Sequence, residues 1–402
     1  MTTPQTFREA LFAPALIFAA FSLAMPVAWG SLALPLLILA WLLSGRLRSS
    51  LDAVRASPPA MWALALFALL CLGAIVRRWP QQDAFNFASK YFKLCLLPIV
   101  VGGVRDSRLK KRALDAFLLG LGIEVLVSYL RFFGVIAPFP DPNQKYIGLI
   151  NHISLGFMLA FGCYVLLWRA LQFRSVRWAS LAAVFCANLM LLNGGRSGYV
   201  AFACVLLLLF AQRRGARGLA LGALACVALF ALALQVSPTT RQRLTEVPRD
   251  LHAFARGDAE TAVGIRLEHD RRALVIIARH WLLGNGTGGF ESAYLHDFGP
   301  DSTMPTNNPE NEYLLIVAQL GAVGGAVLLA WCVALWRAAA ALSDEWRAAY
   351  QALLVAMAVG CLFNSQLLDA LEGRFFVVMA GLLLAVPAVG PRAAAPHAAR
   401  GD

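Results

Sequence analysis

Apolar runs long enough to cross a lipid bilayer recur along nearly the whole chain, and one long polar stretch, from Ser237 to Asn311, interrupts them. A helix of about 20 apolar residues spans the hydrocarbon core because its backbone polar groups are all satisfied within the segment. Twelve stretches approach that requirement: 10–29, 31–44, 60–76, 91–104, 113–134, 149–168, 178–194, 198–212, 218–236, 312–336, 348–366 and 375–390. At 59% hydrophobic and 14% charged residues, the chain lies far from soluble domains, in which about a quarter of residues are charged. The expected fold is all-α: a polytopic integral membrane protein of about twelve transmembrane helices with one helical insertion outside the bilayer. Helices 1–9 would occupy residues 1–236, the insertion 237–311, helices 10–12 residues 312–390, and a disordered tail 391–402.

Orientation follows from Lys and Arg in alternate short loops. One set holds Arg46, Arg48 and Arg55; Arg105, Arg108, Lys110, Lys111 and Arg112; Arg169, Arg174 and Arg177; and Arg213, Arg214 and Arg217. Arg8, Arg337, Arg347, Arg392 and Arg400 fall on the same side. Both termini are therefore expected in the cytoplasm and the 237–311 insertion outside. The formal net charge of +12 requires no nucleic acid, because anionic membrane lipids attract basic inner loops. Glu9 follows Arg8 and no small-residue site closes the first apolar run, so a cleaved signal peptide is not expected. All eight cysteines fall within the apolar stretches, which argues against both a disulfide framework and a metal-ligand spacing.

Two helices are expected in the insertion, at 239–256 and 260–283. In the second, Leu267, Leu274 and Trp281 recur every seven positions and mark an amphipathic helix on the membrane domain or in the interface. The same helix carries Arg266, His269 and Asp270, spaced to share a face. A guanidinium fork there would suit phosphate oxygens, and a solvated Arg266–Asp270 pair fits the spacing as well. Arg196 lies in Asn193-Gly194-Gly195-Arg196-Ser197-Gly198-Tyr199, a tight turn at the outer surface. Its glycines let a ligand approach the backbone, although a snorkelling arginine at a helix end would look the same. The Gly284–Gly289 loop lacks a preceding strand and a following Gly-Lys-Ser/Thr, and reads as a turn back to the membrane rather than a nucleotide site.

Glu310 stands among Asn307, Asn308 and Asn311 at the mouth of the 312–336 stretch. A partly desolvated carboxylate can serve as general base toward a sugar hydroxyl, and asparagines supply neutral donors and acceptors beside it. The cluster also reads as a helix start, with Pro309 and acidic residues in the first turn. His152, after Asn151 at the head of the 149–168 stretch, faces either a cavity or the protein interior.

In order and spacing, Asn193–Tyr199, Gly264-Ile265-Arg266, the Gly284–Phe290 turn, and Asn308-Pro309-Glu310-Asn311-Glu312-Tyr313-Leu314 running to Gln319-Leu320-Gly321 resemble the O-antigen ligase superfamily. That superfamily includes O-antigen polymerases and protein O-oligosaccharyltransferases, and the signature covers roughly residues 150–325. The resemblance implies a GT-C-like, inverting glycosyltransferase in the bacterial inner membrane, its active site facing the periplasm. It implies an undecaprenyl-diphosphate-linked glycan as donor and a lipid A–core oligosaccharide as acceptor. It further implies that Arg196 and Arg266 hold the donor diphosphate, with Asn308, Asn311, His152 and His269 as candidate substrate contacts. No metal or other cofactor is expected, and no Asp-x-Asp motif is present. Family members usually carry histidine where this chain has Glu310. Glutamate can accept the same proton, and an inactivating replacement is the other reading.

Polymerisation with the same donor is the nearest alternative. A lipid-linked glycan transporter is the alternative of another class; it would call for ionisable residues at mid-membrane and an inverted repeat, and no repeat is visible.

Overall fold

The computed structural model describes residues 4–45, 47–76, 84–141, 144–299 and 306–385, so the expected tail after 390 lies outside the described residues. Every regular element among them is helical: α1 (Pro4–Ser22), α2 (Val27–Leu43), α3 (Leu47–Arg55), α4 (Pro58–Ile75), α5 (Ala84–Ser89), α6 (Leu96–Gly103), α7 (Ser107–Phe132), α8 (His152–Phe173) and α9 (Val176–Ala187). There follow α10 (Arg196–Val236), α11 (Pro238–Ala255), α12 (Ala262–Arg279), α13 (Phe290–Phe298), α14 (Glu312–Ala338), α15 (Asp344–Gly360) and α16 (Ala370–Leu384). Each of the twelve apolar stretches lies largely on one of these helices. By length and composition, six segments can cross a membrane: 58–75, 84–103, 107–132, 152–173, 196–236 and 312–341.

Part of the difference between six and twelve lies in α10. Gly215 leaves the helical region at φ 58° and ψ −137°, and the chain reverses there. Tyr199 meets Phe230 with ring centroids 6.2 Å apart, and Cys226 Sγ lies 3.8 Å from the carbonyl of Ala203. The 41 residues are thus two antiparallel legs, matching the separate stretches at 198–212 and 218–236. Leu224, Val227 and Leu232 on the second leg, like Leu32, Leu36 and Leu39 on α2, remain exposed. Exposed apolar surface of this kind marks a face turned to a membrane or a partner.

α16 forms the centre of the bundle, with Phe375, Val377, Val378 and Met379 fully buried. The Phe375 ring packs 5.0 Å from Phe117 of α7 and 5.6 Å from Phe161 of α8. At one end, buried Lys110 ties α7 to the last turn of α16 by donating to the carbonyls of Leu383 (2.6 Å) and Ala385 (3.1 Å). Its ammonium also lies 4.4 Å from the Trp346 ring of α15. That end also carries the basic Gly215 turn, where Arg213 reaches the Trp168 carbonyl. None of the eight cysteines forms a disulfide.

The insertion holds α11 and α12 where expected, plus α13, which the sequence reading did not separate. The seven-residue stripe does not face the bundle. Gly264, Glu268, His269, Ala273 and Ile276 form the buried side of α12, whereas Leu274 and Trp281 are exposed along with Leu282 and Leu283.

The glycine loop after α12 is a buried splice in α14. α14 breaks at Gly321 (φ 62°), and residues 285–286 donate to the freed carbonyls: Asn285 N to Ala318 (3.0 Å) and Gly286 N to Gln319 (2.8 Å). Ala322 N returns a bond to Trp281 O at 2.7 Å. Thr287, fully buried, bonds through its hydroxyl to Leu70 O of α4 at 2.7 Å. Irregular backbone is tolerated among membrane helices when protein groups satisfy it, as they do here. A Cβ at Gly284 or Gly321 would overlap the opposing backbone, and both carry positive φ.

Candidate functional site

The helix starts of α8, α10, α14 and α16 lie at the end of the bundle opposite Lys110. Asn151 caps α8 and Asn311 caps α14, each with its side-chain oxygen accepting two backbone N–H bonds. Gly195 opens α10 directly against the His152 carbonyl, where a Cβ would collide, so Arg196 and His152 are neighbours. Helix starts present free N–H groups and partial positive charge, which favours anions.

Arg196 is half-buried. Its Nη1 lies 3.6 Å from Asp250 and 3.9 Å from Glu246, both on α11, and makes no hydrogen bond. Arg266, from the first turn and a half of α12, donates from Nε to Glu310 Oε2 at 2.7 Å. Arg196 lies within electrostatic reach of both Arg266 and Arg243, and His152 within reach of all three. Five segments, the starts of α8 and α10, α11, α12 and the turn before α14, therefore bring His152, Arg196, Arg243, Arg266 and Glu310 together. Arg243 belongs to the site although the sequence reading passed over it. Its pairing with Glu246 at 3.3 Å holds the α11 face toward Arg196, and the i, i+3, i+7 spacing of Arg243, Glu246 and Asp250 was the available signal.

Glu310 is held in the left-handed region, at φ 57°, which non-glycine residues seldom occupy and which clusters at functional sites. Asn308 enforces that conformation. Its Oδ1 accepts the Glu310 N–H at 2.9 Å and the Ser365 hydroxyl at 2.6 Å, tying the turn to the segment before α16. The side-chain oxygens of Asn308 and Asn311 are thus both committed to backbone structure around Glu310.

Asp270 faces the cluster as well. Burial raises its carboxyl to about 6, opposed by a hydrogen bond from Asn311 and the charge of Arg266, while Glu310 pushes it further up. His269 instead packs edge-on to Tyr294 of α13, with centroids 6.4 Å apart. Beside it, Glu268 accepts from Arg271 and Arg272, and Arg272 reaches the Tyr294 hydroxyl at 2.7 Å, so this side of α12 is fastened to α13.

Glu312, two residues beyond Glu310, is fully buried and structural. It accepts from Tyr91 at 3.0 Å and from the N–H groups of Leu367 and Leu368 at 2.8 and 3.2 Å. Among the described residues, no group of three His, Cys, Asp or Glu side chains is placed to hold a metal ion.

Clustered guanidiniums beside a strained carboxylate can grip a polyanion next to a proton acceptor. Residues 181–329, which include Arg196, Arg243, Arg266 and Glu310, match the family model described as O-antigen ligase. No curated protein matches the chain.

Proposed function

We propose, from the match of residues 181–329 to the O-antigen ligase family model, that the protein is an inverting, metal-independent glycosyltransferase of GT-C character that moves a glycan from undecaprenyl diphosphate to lipid A–core. The chain would cross the bacterial inner membrane twelve times, with both termini cytoplasmic and the Arg266–Glu310 end in the periplasm. The gathering of basic loops near the Gly215 turn, at the opposite end, supports this orientation.

The single observation that carries the reading is the convergence of Arg196, Arg243 and Arg266, the last of them paired with Glu310. Arg196 and Arg266 bind the donor diphosphate. An acceptor hydroxyl oxygen attacks the anomeric carbon and its proton passes to Glu310. The bond from that carbon to the phosphate oxygen breaks, and the electron pair leaves on undecaprenyl diphosphate. Fixed guanidiniums stabilise the charge growing there, and about 3–4 kcal/mol per group is typical of such preorganised donors. Inversion follows from a single displacement. Arg243 orders α11 and adds a third positive charge.

The test is transfer by the purified chain in nanodiscs, supplied with a lipid-linked glycan and lipid A–core. A glycan-bearing lipid A product supports the proposal. Lengthening of the lipid-linked glycan alone identifies a polymerase, and no transfer to either acceptor refutes both.

A further inference from the structure

A second cleft, of about 630 Å³, opens beside the Asn308 strut, and neither Arg196, Arg266 nor Glu310 lines it. One wall is apolar, built from Leu34, Pro35 and Ile38 of α2 with Phe92 and Leu96. The other carries Lys90, Lys93 and Arg374 against the single carboxylate of Asp369, and Asn307 and Asn308 close it. Three cations line this wall with one carboxylate, while Glu312 and Glu372 lie behind Lys93 without lining the cleft.

Two of the cations, Lys93 and Arg374, are held by hydrogen bonds. Lys93 is buried, and its ammonium donates to the carbonyls of Leu368 (2.9 Å) and Asp369, which cancel none of its charge. Arg374 bridges α16 to α2 through the Val27 carbonyl at 3.2 Å and the Ser31 hydroxyl at 3.3 Å. Lys90 is exposed above the Phe87 ring. Leu36 and Leu39 of α2, flanking the apolar wall, are exposed where lipid would lie. A cleft with a cationic head region and an apolar wall open to lipid matches an anionic amphiphile, and its volume falls in the range of ligand sites.

We infer that this cleft holds the phosphorylated glycolipid that accepts the glycan, its phosphate among Lys90, Lys93 and Arg374 and its acyl chain along α2. This rests on the glycosyl-transfer reading above. Two lipid-borne substrates need separate seats, and the arginine cluster takes the diphosphate. Asn308 joins the two sites. It lines the cleft while its Oδ1 accepts the Glu310 N–H, so a sugar extending past Asn307 and Asn308 brings its hydroxyl to Glu310.

The experiment places a photo-crosslinking phenylalanine analogue at Ile38 in the full chain, reconstituted in nanodiscs containing bis-phosphorylated lipid A, dephosphorylated lipid A or phosphatidylglycerol. Labelling by phosphorylated lipid A is expected. It should fall about tenfold when the phosphates are removed and about tenfold in Lys90→Glu, the scale of one lost charge-assisted contact. Arg266→Ala should leave it intact. In transfer assays, the milder Lys90→Gln should raise the acceptor KM several-fold and leave the donor KM unchanged.

Equal labelling with and without phosphates overturns the proposal, as does loss in Arg266→Ala with retention in Lys90→Glu. Phosphatidylglycerol labelling as strongly as lipid A, or inorganic phosphate at millimolar level competing it away, overturns the acceptor assignment too. Phosphate-dependent labelling without any transfer retains the amphiphile site and refutes the transferase reading. Transfer with phosphate-independent labelling does the reverse.

Discussion

Arg266 Nε donates to Glu310 Oε2 across 2.7 Å, so a cation suited to an anionic substrate and a carboxylate suited to a proton occupy each other. The pair is partly exposed, which makes it weak enough to exchange. A diphosphate reaching Arg266 displaces Glu310 and frees its carboxylate for the acceptor hydroxyl. Glu310→Gln should therefore bind undecaprenyl diphosphate several-fold more tightly than the unmodified chain while transfer falls about 10²–10⁴-fold, the usual worth of a general base. Calorimetric titration and single-turnover transfer read the two quantities; weaker binding in the variant would contradict the exchange.

Arg266→Lys should fail to rescue. A lysine ammonium keeps the charge but loses the planar fork that spans two phosphate oxygens. Donor kcat/KM should remain at least tenfold below that of the unmodified chain, with lipid A labelling unaltered. Full activity in the lysine variant would reduce the role of Arg266 to bulk charge.

A pH dependence follows from Asp270, whose carboxyl burial raises to about 6. Above that value Asp270 adds negative charge beside Arg266, whereas the phosphates of the donor stay ionised throughout. Donor affinity should fall as pH rises through about 6, and Asp270→Asn should flatten that step. The stability term has the same sign. A carboxyl raised in the folded state contributes stability that is complete below its unfolded pKa and lost as pH rises through about 6. Asp270→Asn should then raise the Tm at pH 7.5 and have little effect at pH 4. A Tm change of the same size at both values would remove Asp270 from this account.

The splice between the glycine loop and α14 predicts a structural phenotype. Gly321→Ala forces a Cβ into the Leu282 carbonyl at positive φ, so the loop and helix must part. Loss of a fit like this one typically destabilises by about 1–3 kcal/mol. A lowered Tm in detergent is expected, with Gly134→Ala, at a positive-φ position in open space, affected less. Equal effects would show that only backbone strain matters.

Much of this architecture was legible because membrane helices announce themselves by apolar length. Even the two legs of α10 were separable, since Arg213, Arg214, Gly215 and Arg217 interrupt the hydropathy. Arg196 and Glu310 were visible for their polar character beside apolar spans, and Arg266 for its spacing with His269 and Asp270 in the insertion. Less legible was what each polar group does. Asn308 and Asn311 read as sugar contacts, yet their oxygens hold the Glu310 turn and cap α14, because local side-chain-to-backbone bonds form wherever such residues precede a helix. His269 shares sequence spacing with Arg266, but a three-residue step rotates it toward Tyr294. Arg243 escaped notice because α11 is polar apart from a narrow stripe of Leu244, Leu251 and Phe254, and only the docking of α11 on α10 singles out the face that carries Arg243. The Gly284–Gly289 loop read as a turn because its partner, the break at Gly321, lies over thirty residues away.

The central claim is that Arg196 and Arg266 together grip one diphosphate. Titration of undecaprenyl diphosphate into nanodisc-embedded Arg196→Ala, Arg266→Ala and the double variant tests it most directly, with Tm confirming that each remains folded. The account predicts that each single change weakens binding about 10–100-fold and that the double variant loses little more than the sum or less, as for two donors on one ligand. Undiminished affinity in either folded single variant would contradict it.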